Sequence, residues 1–376
     1  MHTLTQYLQA LENPVGLCRR LSGMELCRDE AGRPLFHVGN SAAVFKIRLG
    51  ERTLRLRCYT RKPATDLAAL YGCRYLPEEL YLHTDDRHGE WVGVVVDDWV
   101  EGHSLDYVMS RAQELDDAAT FAWLSARFDE LAARLLTDDW AHGDLKPENI
   151  LLDETGRLQL IDFDACFRPE MAGRCATELG TPAYQHPRRS LHDFDRWIDH
   201  YPAALLSTQL RALALDPSLA HRPAPDDGIL FLPEEILRDT SALYREVLDL
   251  FARTGDGIHY RIARALQQPT YRLYGIEELF CFVPPRRCPA ETPEFFIDEG
   301  LCGFRTKERI TVPPVYDEAF DYREEWALVR LGKHRHYIDL LGRPQYHLPP
   351  CDGAQSLRNG CVRYRIGDFR ISVKVK

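Results

Sequence analysis

The sequence predicts an α+β chain with a strand-rich first part, a helical middle and a small β-rich module at the C-terminal end. Three observations point to it. Residues 35–60 and 79–99 hold short β-prone runs separated by turn residues. Residues 105–136 and most of 193–268 carry apolar side chains at helical spacing. Beyond Phe295 the chain returns to short strands and turns, and partly repeats itself.

Taken in order, residues 1–30 read as a short helix closed by Asn13-Pro14, followed by an irregular lead-in. Strands are expected over 35–38, 43–47 and 54–59, the last two joined by the Gly50-Glu51-Arg52 turn. A helix is expected over 64–75, and further strands near 79–83 and 91–99. Gly102 and Ser104 mark a hinge before helices over 105–113 and 118–136. Strands over 149–152 and 157–161 bracket an Asp153-Glu154-Thr155-Gly156 turn. The helical pattern over 193–268 is broken by Pro217, Pro223 and Pro225, and the proline-rich 281–293 stretch reads as a linker or wrapped loop.

The C-terminal repeat has a period of 35 residues, which separates Asp317 from Asp352. Pro313-Pro314-Val315-Tyr316-Asp317 returns as Pro349-Pro350-Cys351-Asp352, Trp326 to Arg330 aligns with Cys361 to Arg365, and Gly332 with Gly367. Upstream, Gly303-Phe304 matches the place of Tyr337-Ile338-Asp339.

Bulk properties narrow the classes of function. A length of 376 residues suggests about two domains. A formal net charge of −10 argues against a nonspecific binder of nucleic acid or of anionic membranes, and no run of about 20 uncharged apolar residues suggests a membrane span. The residues 1–13 are amphipathic rather than signal-like. The 11 cysteines are scattered without a C-x-x-C pair, as expected of reduced thiols in a cytoplasmic protein.

The chemistry concentrates in His142-Gly143-Asp144-Leu145-Lys146-Pro147-Glu148-Asn149, followed 18 residues after Asp144 by Asp162-Phe163-Asp164. One loop thus holds a carboxylate, an amine and an amide, and the next loop a second carboxylate. Phosphoryl transfer from ATP needs such a set: one carboxylate to orient the attacking hydroxyl, and an amide and a carboxylate to hold Mg²⁺.

These motifs resemble the catalytic loop and metal site of the eukaryotic-type protein kinases, over roughly residues 30–270. The resemblance implies a two-lobed kinase-like α+β fold: lead-in 1–30, a kinase-like domain 31–270 (N-lobe 31–100, C-lobe 101–270), linker 271–294 and β module 295–376. It implies ATP and Mg²⁺ as cofactors and a protein substrate. Asp144 would steer the substrate hydroxyl, Lys146 would neutralise the γ-phosphate, and Asn149 and Asp162 would bind Mg²⁺. Gly39, with Ala42, falls in the phosphate-covering loop, where small residues let backbone N–H groups approach phosphates. Arg57 stands where the third-strand lysine is usual, with Asp66 as its carboxylate partner and Lys46 as an alternative cation. Thr181, in Gly180-Thr181-Pro182-Ala183-Tyr184, resembles the threonine that favours Ser/Thr hydroxyls. Asp199 resembles the aspartate that braces the catalytic loop, although an acid at a helix start also suits the dipole.

Three departures shape the expectations. Gly143 replaces the arginine that usually receives an activation-loop phosphate, which implies activity independent of loop phosphorylation. Asp164 replaces the glycine of D-F-G, either tuning the metal site or facing solvent. Arg57 leaves turnover open, so a nucleotide-binding pseudokinase scaffold stays an alternative, as does a small-molecule phosphotransferase of the aminoglycoside or choline kinase kind. The tail resembles WG repeats, which implies that the module binds a partner. The whole resembles kinase-like proteins with WG repeats from Bacteroidetes-type bacteria.

Overall fold

The computed structural model describes residues 2–39, 41–63, 66–85, 88–222 and 230–375. It is an α+β structure of two compact units, one running up to His103 and including the Asp153–Gly156 turn, the other comprising the rest.

The first unit opens with α1 (Leu4–Glu12), started by a reciprocal Thr3–Gln6 capping box. There follow β1 (Met24–Leu26), β2 (Phe36–Val38), β3 (Ala42–Leu49), β4 (Arg52–Tyr59), α2 (Leu67–Tyr71), β5 (Tyr75–His83) and β6 (Gly89–Asp98). The strands form one antiparallel sheet in the order β1-β3-β4-β6-β5, with β2 also paired to β3. Strand alternation gives the sheet two unlike faces. Phe45, Ile47, Leu54 and Leu56 face Tyr7, Ala10 and Leu11 of α1 and form a dry core. The partners Val44↔Arg57 and Lys46↔Arg55 lie on the opposite face. There Arg55 and Arg74 both donate to the Asp97 carboxylate, at 2.8 and 2.9 Å.

The helix expected over 64–75 is shorter than its pattern suggested. Residues 64 and 65 lie outside the described ones, α2 ends at Tyr71, and Gly72 at φ 55° turns the chain into a single tight turn before β5.

Where the chain passes from the first unit to the second, β7 (Gly102–Ser104) leads into α3 (Leu105–Glu114) and α4 (Ala118–Thr137). Ser104 and Asp117 cap them by accepting from Tyr107 and Thr120 N–H groups. The hairpin β8 (Ile150–Asp153) and β9 (Leu158–Leu160) precedes α5 (His200–Leu215), α6 (Pro233–Leu237), α7 (Ala242–Thr254), α8 (Gly257–Ala265) and α9 (Ile276–Cys281). Helix α5 is buried nearly all round, which makes it the axis of the unit. Phe121, Leu124, Phe128 and Leu135 of α4 recur every three or four residues and pack on it. Each such side chain contributes roughly 1.5–3 kcal/mol of burial. Within 271–294, Ile276 and Phe280 of α9 join the same core. No helix among the described residues is long and apolar enough to cross a membrane.

The C-terminal residues form ten short strands: β10 (Glu294–Asp298), β11 (Leu301–Arg305), β12 (Ile310–Tyr316), β13 (Glu318–Ala319), β14 (Ala327–Leu331), β15 (His334–Ile338), β16 (Pro344–His347), β17 (Gly353–Arg358), β18 (Cys361–Ile366) and β19 (Phe369–Lys374). They build three small antiparallel sheets in sequence order. The repeat has a physical basis. Asp317 accepts from the Gly332 N–H at 2.6 Å, and Asp352 from the Gly367 N–H at 2.7 Å, so each acid ties off the tight turn of its own hairpin. Both glycines have φ near 57°, where a side chain is disfavoured. The hairpin β10–β11, whose strands meet through Asp298↔Leu301, adds a third copy of the form.

These strands pack directly on α7 and α8. Arg261 donates to the Val315 carbonyl and to Asp317, each at 2.7 Å. Gly257 admits the strand closely, since a Cβ there would lie 2.6 Å from a Val315 methyl. The imidazole of His336, 1% exposed, donates through Nε2 to the Ala252 carbonyl at 2.8 Å, leaving Nδ1 to accept from His347 Nδ1 at 2.6 Å. Both rings are neutral in this arrangement. Burial lowers the His336 pKa to about 4, against the backbone bond that favours its charge.

A depressed histidine stabilises the fold above its ordinary pKa and loses that contribution as pH falls towards the folded value. Thermal unfolding followed from pH 7 down to about pH 4 should therefore show a falling midpoint. In His336→Gln the fall should be shallower; an identical slope would show that this contact carries no pH-linked stability.

Candidate active site

A bridge between Ala141 and Phe167, made by two backbone hydrogen bonds of 3.1 and 2.9 Å, holds the stem of the 142–149 loop. At its other end the β8–β9 hairpin pairs Ile150 with Leu160, and the Ile161 N–H donates to the Asn149 carbonyl at 2.9 Å. That register sets Asp162 one residue beyond the partner of Asn149. The sequence spacing thus becomes proximity through a tight hairpin.

The loop backbone is fixed from below by α5. Asp199 begins that helix but makes no capping bond to it. Its carboxylate instead accepts from the N–H groups of His142 and Gly143, the latter at 2.9 Å. Only 1% of Asp199 is exposed, so these are buried charge-assisted bonds, stronger than the cap it forgoes. His142 is fully buried; its Nε2 donates to the Ile161 carbonyl at 2.8 Å, and its ring meets Phe163 at 5.3 Å. Phe163, also against Trp140, thereby holds the Asp162 backbone to the loop.

Three groups converge around Asp144. The Thr181 N–H donates to Oδ1 at 2.6 Å, Asn149 Nδ2 donates to Oδ2 at 3.1 Å and to the Asp144 carbonyl at 2.8 Å, and Lys146 Nζ lies 3.7 Å from Oδ2. Thr181 reaches Asp144 through its backbone. The Asn149 amide is oriented by its two donated bonds, which leaves Oδ1, the atom that hard cations prefer, aimed away from Asp144. Asp162 sits at φ 66°, a left-handed conformation costly for an aspartate and found most often where function demands it. Among the described residues no cluster of three or more histidine, cysteine or acidic side chains is placed to hold a metal ion. One amide oxygen, one carboxylate and the oxygens of a phosphate suit Mg²⁺, which keeps several waters.

Gly143 and Gly180 permit this close packing. At φ 82° a Cβ on Gly143 would overlap the Ala165 carbonyl oxygen, and one on Gly180 would lie 2.7 Å from the Gly143 carbonyl oxygen. An arginine at 143 is sterically excluded here. A different arginine, which spacing alone did not reveal, serves the loop: Arg189, 6% exposed, donates through Nη1 to the carbonyls of Gly143 at 3.2 Å and Leu179 at 3.1 Å, and to the Gln185 side chain. Burial pulls its pKa down, opposed by the charge of Asp199. Its signal in the sequence was only a charged residue in an otherwise turn-like stretch after Pro187.

The remaining candidates belong to the first unit. Gly39 stands at the β2–β3 turn, where its N–H donates to the Ala42 carbonyl at 2.8 Å; Asn40 lies outside the described residues. Arg57 lies on the polar face of the sheet, its guanidinium carbon 5.5 Å from the Tyr59 ring centre. Asp66 is a correction. Rather than serving as the carboxylate partner of Arg57, it is an exposed N-cap of α2, where Oδ1 accepts from the N–H groups of Ala68 and Ala69 at 3.1 and 3.3 Å. A short aspartate immediately before a helix is drawn to the nearest orphan donors. Lys46 pairs with Glu101 and lies over the Trp99 ring at 5.1 Å.

No family model matches the chain. Over 139 residues it is 30% identical to maternal embryonic leucine zipper kinase of Xenopus tropicalis, covering 36% of this chain and 20% of that protein. Over 147 residues it is 31% identical to a probable cAMP-dependent protein kinase catalytic subunit of Encephalitozoon cuniculi, covering 36% of this chain and 40% of that protein. It is 30% identical over 124 residues to Rho-associated protein kinase 1 of Homo sapiens, covering 32% of this chain and 9% of that protein. The matches therefore span well under half the length of these relatives. They support a protein kinase-like fold and a phosphotransferase at the level of the family.

Substituting Gly143 by Ala should destabilise the protein by about 2 kcal/mol or more, because strain and overlap add. Replacing Asp199 by Ala should raise amide exchange at His142 and Gly143 well above that of α5. Unchanged exchange at those two amides would remove Asp199 from the support of the loop.

Proposed function

We propose that the chain is an ATP- and Mg²⁺-dependent Ser/Thr protein kinase of two-lobed architecture, whose C-terminal module, similar to WG repeats, recruits the protein substrate. The observation that carries this reading is the convergence of Asn149, Lys146 and the Thr181 N–H on Asp144 in a loop braced by Asp199.

Each Asp144 oxygen already accepts one hydrogen bond and keeps acceptor capacity for a substrate hydroxyl. The Thr181 N–H and Asn149 amide set the direction of that capacity, so a serine or threonine O–H presented there is oriented for in-line attack. Lys146 brings a cation beside the reacting oxygens, where negative charge spreads in the transition state. Asn149 Oδ1 and the Asp162 carboxylate would hold the metal, and Gly39 and Arg57 would face the nucleotide phosphates. Bound Mg–ATP supplies the phosphoryl group and the divalent charge that screens it. Arg189, reaching the Gly143 carbonyl, supports the loop without a phosphate, in keeping with activity independent of loop phosphorylation.

A second reading, a nucleotide-binding scaffold without turnover, is motivated by Arg57 standing where the third-strand lysine is usual. The Thr181 contact speaks against a small-molecule kinase, which has less need of a peptide-docking segment.

Incubation with Mg²⁺, labelled ATP and generic protein substrates should label serine or threonine, and Asp144→Ala should lower the rate about a thousandfold. Phosphatase pretreatment should leave the rate unchanged. Nucleotide-induced thermal stabilisation without transfer would establish the scaffold instead, and labelling confined to small alcohols or amino sugars would establish a small-molecule kinase.

A further inference from the structure

We propose that the outer face of the last sheet, β17–β18–β19, is a docking groove for an extended acidic polypeptide segment. The proposal deepens the recruiting role given to the module, but the binding it describes needs neither ATP nor the catalytic loop.

The pleat sorts this sheet sharply. Val362, Tyr364 and Val373 turn inward onto Leu328, Tyr337 and Leu357. The register Arg363↔Ser372, Arg365↔Arg370 and Cys361↔Lys374 places Arg363, Arg365, Arg370 and Lys374 together on the other face. Arg363, Arg365 and Arg370 line an open groove of about 540 Å³, with Gly353, Gln355 and Ser372 also in its lining. Among the described residues no carboxylate forms an ion pair with any of these four cations.

Like charges directly opposite across a strand pair are destabilising. Arg365 and Arg370 are such a pair, in a chain of formal net charge −10. Cations on an edge strand often guard against aggregation, and that accounts for Arg370 and Lys374 of β19. It does not account for Arg363 and Arg365, which stand on the middle strand β18. Three guanidinium forks on one face match carboxylates or phosphate oxygens in geometry as well as charge.

The occupant is a polypeptide because of the edge beside the groove. Among the described residues, strand β19 pairs only with β18, so its outer backbone groups offer the hydrogen bonds of strand addition. A peptide laid along β19 presents every second side chain to the arginine face. Acids at alternate positions therefore meet Arg370 and Lys374 directly, and Arg365 and Arg363 one strand further in. Phe369, 76% exposed at the start of β19, offers an apolar contact at one end.

The test is fluorescence anisotropy of the full chain with labelled peptides alternating Glu and Thr. Binding is expected, weakened at least about tenfold in Arg365→Gln/Arg370→Gln and in Arg363→Gln, with far-UV circular dichroism unchanged. It should also weaken as salt rises from about 0.05 to about 0.5 M, and when alternate peptide backbone nitrogens are methylated. A peptide with Lys in place of Glu should not bind. The proposal is overturned if the acidic peptide does not bind, if the variants bind it equally, or if methylation has no effect. Tighter binding of an all-thymidine oligonucleotide would make this a nucleic-acid face, and arginine-dependent dimers in light scattering would make it a self-association face; either overturns the peptide assignment. Because none of these readings involves transfer, failure of the catalytic assignment would leave them intact. The same variants should transfer phosphate to a short generic peptide at the unaltered rate.

Discussion

The site rests on one buried carboxylate. Asp199 lies at the head of α5, the most enclosed helix of the second unit, and accepts from two successive N–H groups of the loop that carries Asp144. A loop of polar residues is ordinarily free to sample many conformations, and ordering it costs roughly 1–2 kcal/mol per residue. Tying its backbone to a helix that cannot shift without disrupting the core converts a flexible segment into a rigid platform. Asn149, Lys146 and Thr181 then act on an Asp144 whose direction is already set.

The glycines of the site follow from the same packing. Gly143 and Gly180 lie where the loop, the Asp162–Ala165 segment and the Thr181 turn press together, and their missing side chains allow backbone carbonyls to approach. Arg189 donates to the Gly143 carbonyl and supports the loop through permanent charge.

Much of this was legible in the chain itself, and the parts that were not have physical reasons. The nearness of the 142–149 loop and Asp162 could be read because a two-strand hairpin converts fixed sequence spacing into fixed geometry. The C-terminal repeat could be read because Asp317 and Asp352 each close a hairpin whose glycine holds a positive φ that disfavours a side chain. Asp199 was ambiguous, since an acid before a helix suits either a cap or a brace, and only the missing capping bond decides between them. Asp66 went the other way: the nearest donors were its own helix N–H groups, a local preference that a family pattern does not override. Arg189 was hidden because two of its partners are backbone carbonyls, 46 residues back in the case of Gly143, and backbone groups leave no trace in sequence. The third hairpin was hidden because its strands share form but few letters with the other two.

The most direct measurement is calorimetric titration of the full chain with ATP, in excess Mg²⁺ and in chelator, for the native sequence and for Asn149→Ala and Asp162→Ala. The account predicts binding that depends on Mg²⁺ in the native chain and loses that dependence in both variants. Equal affinity with and without the metal, unaltered by either substitution, would contradict it.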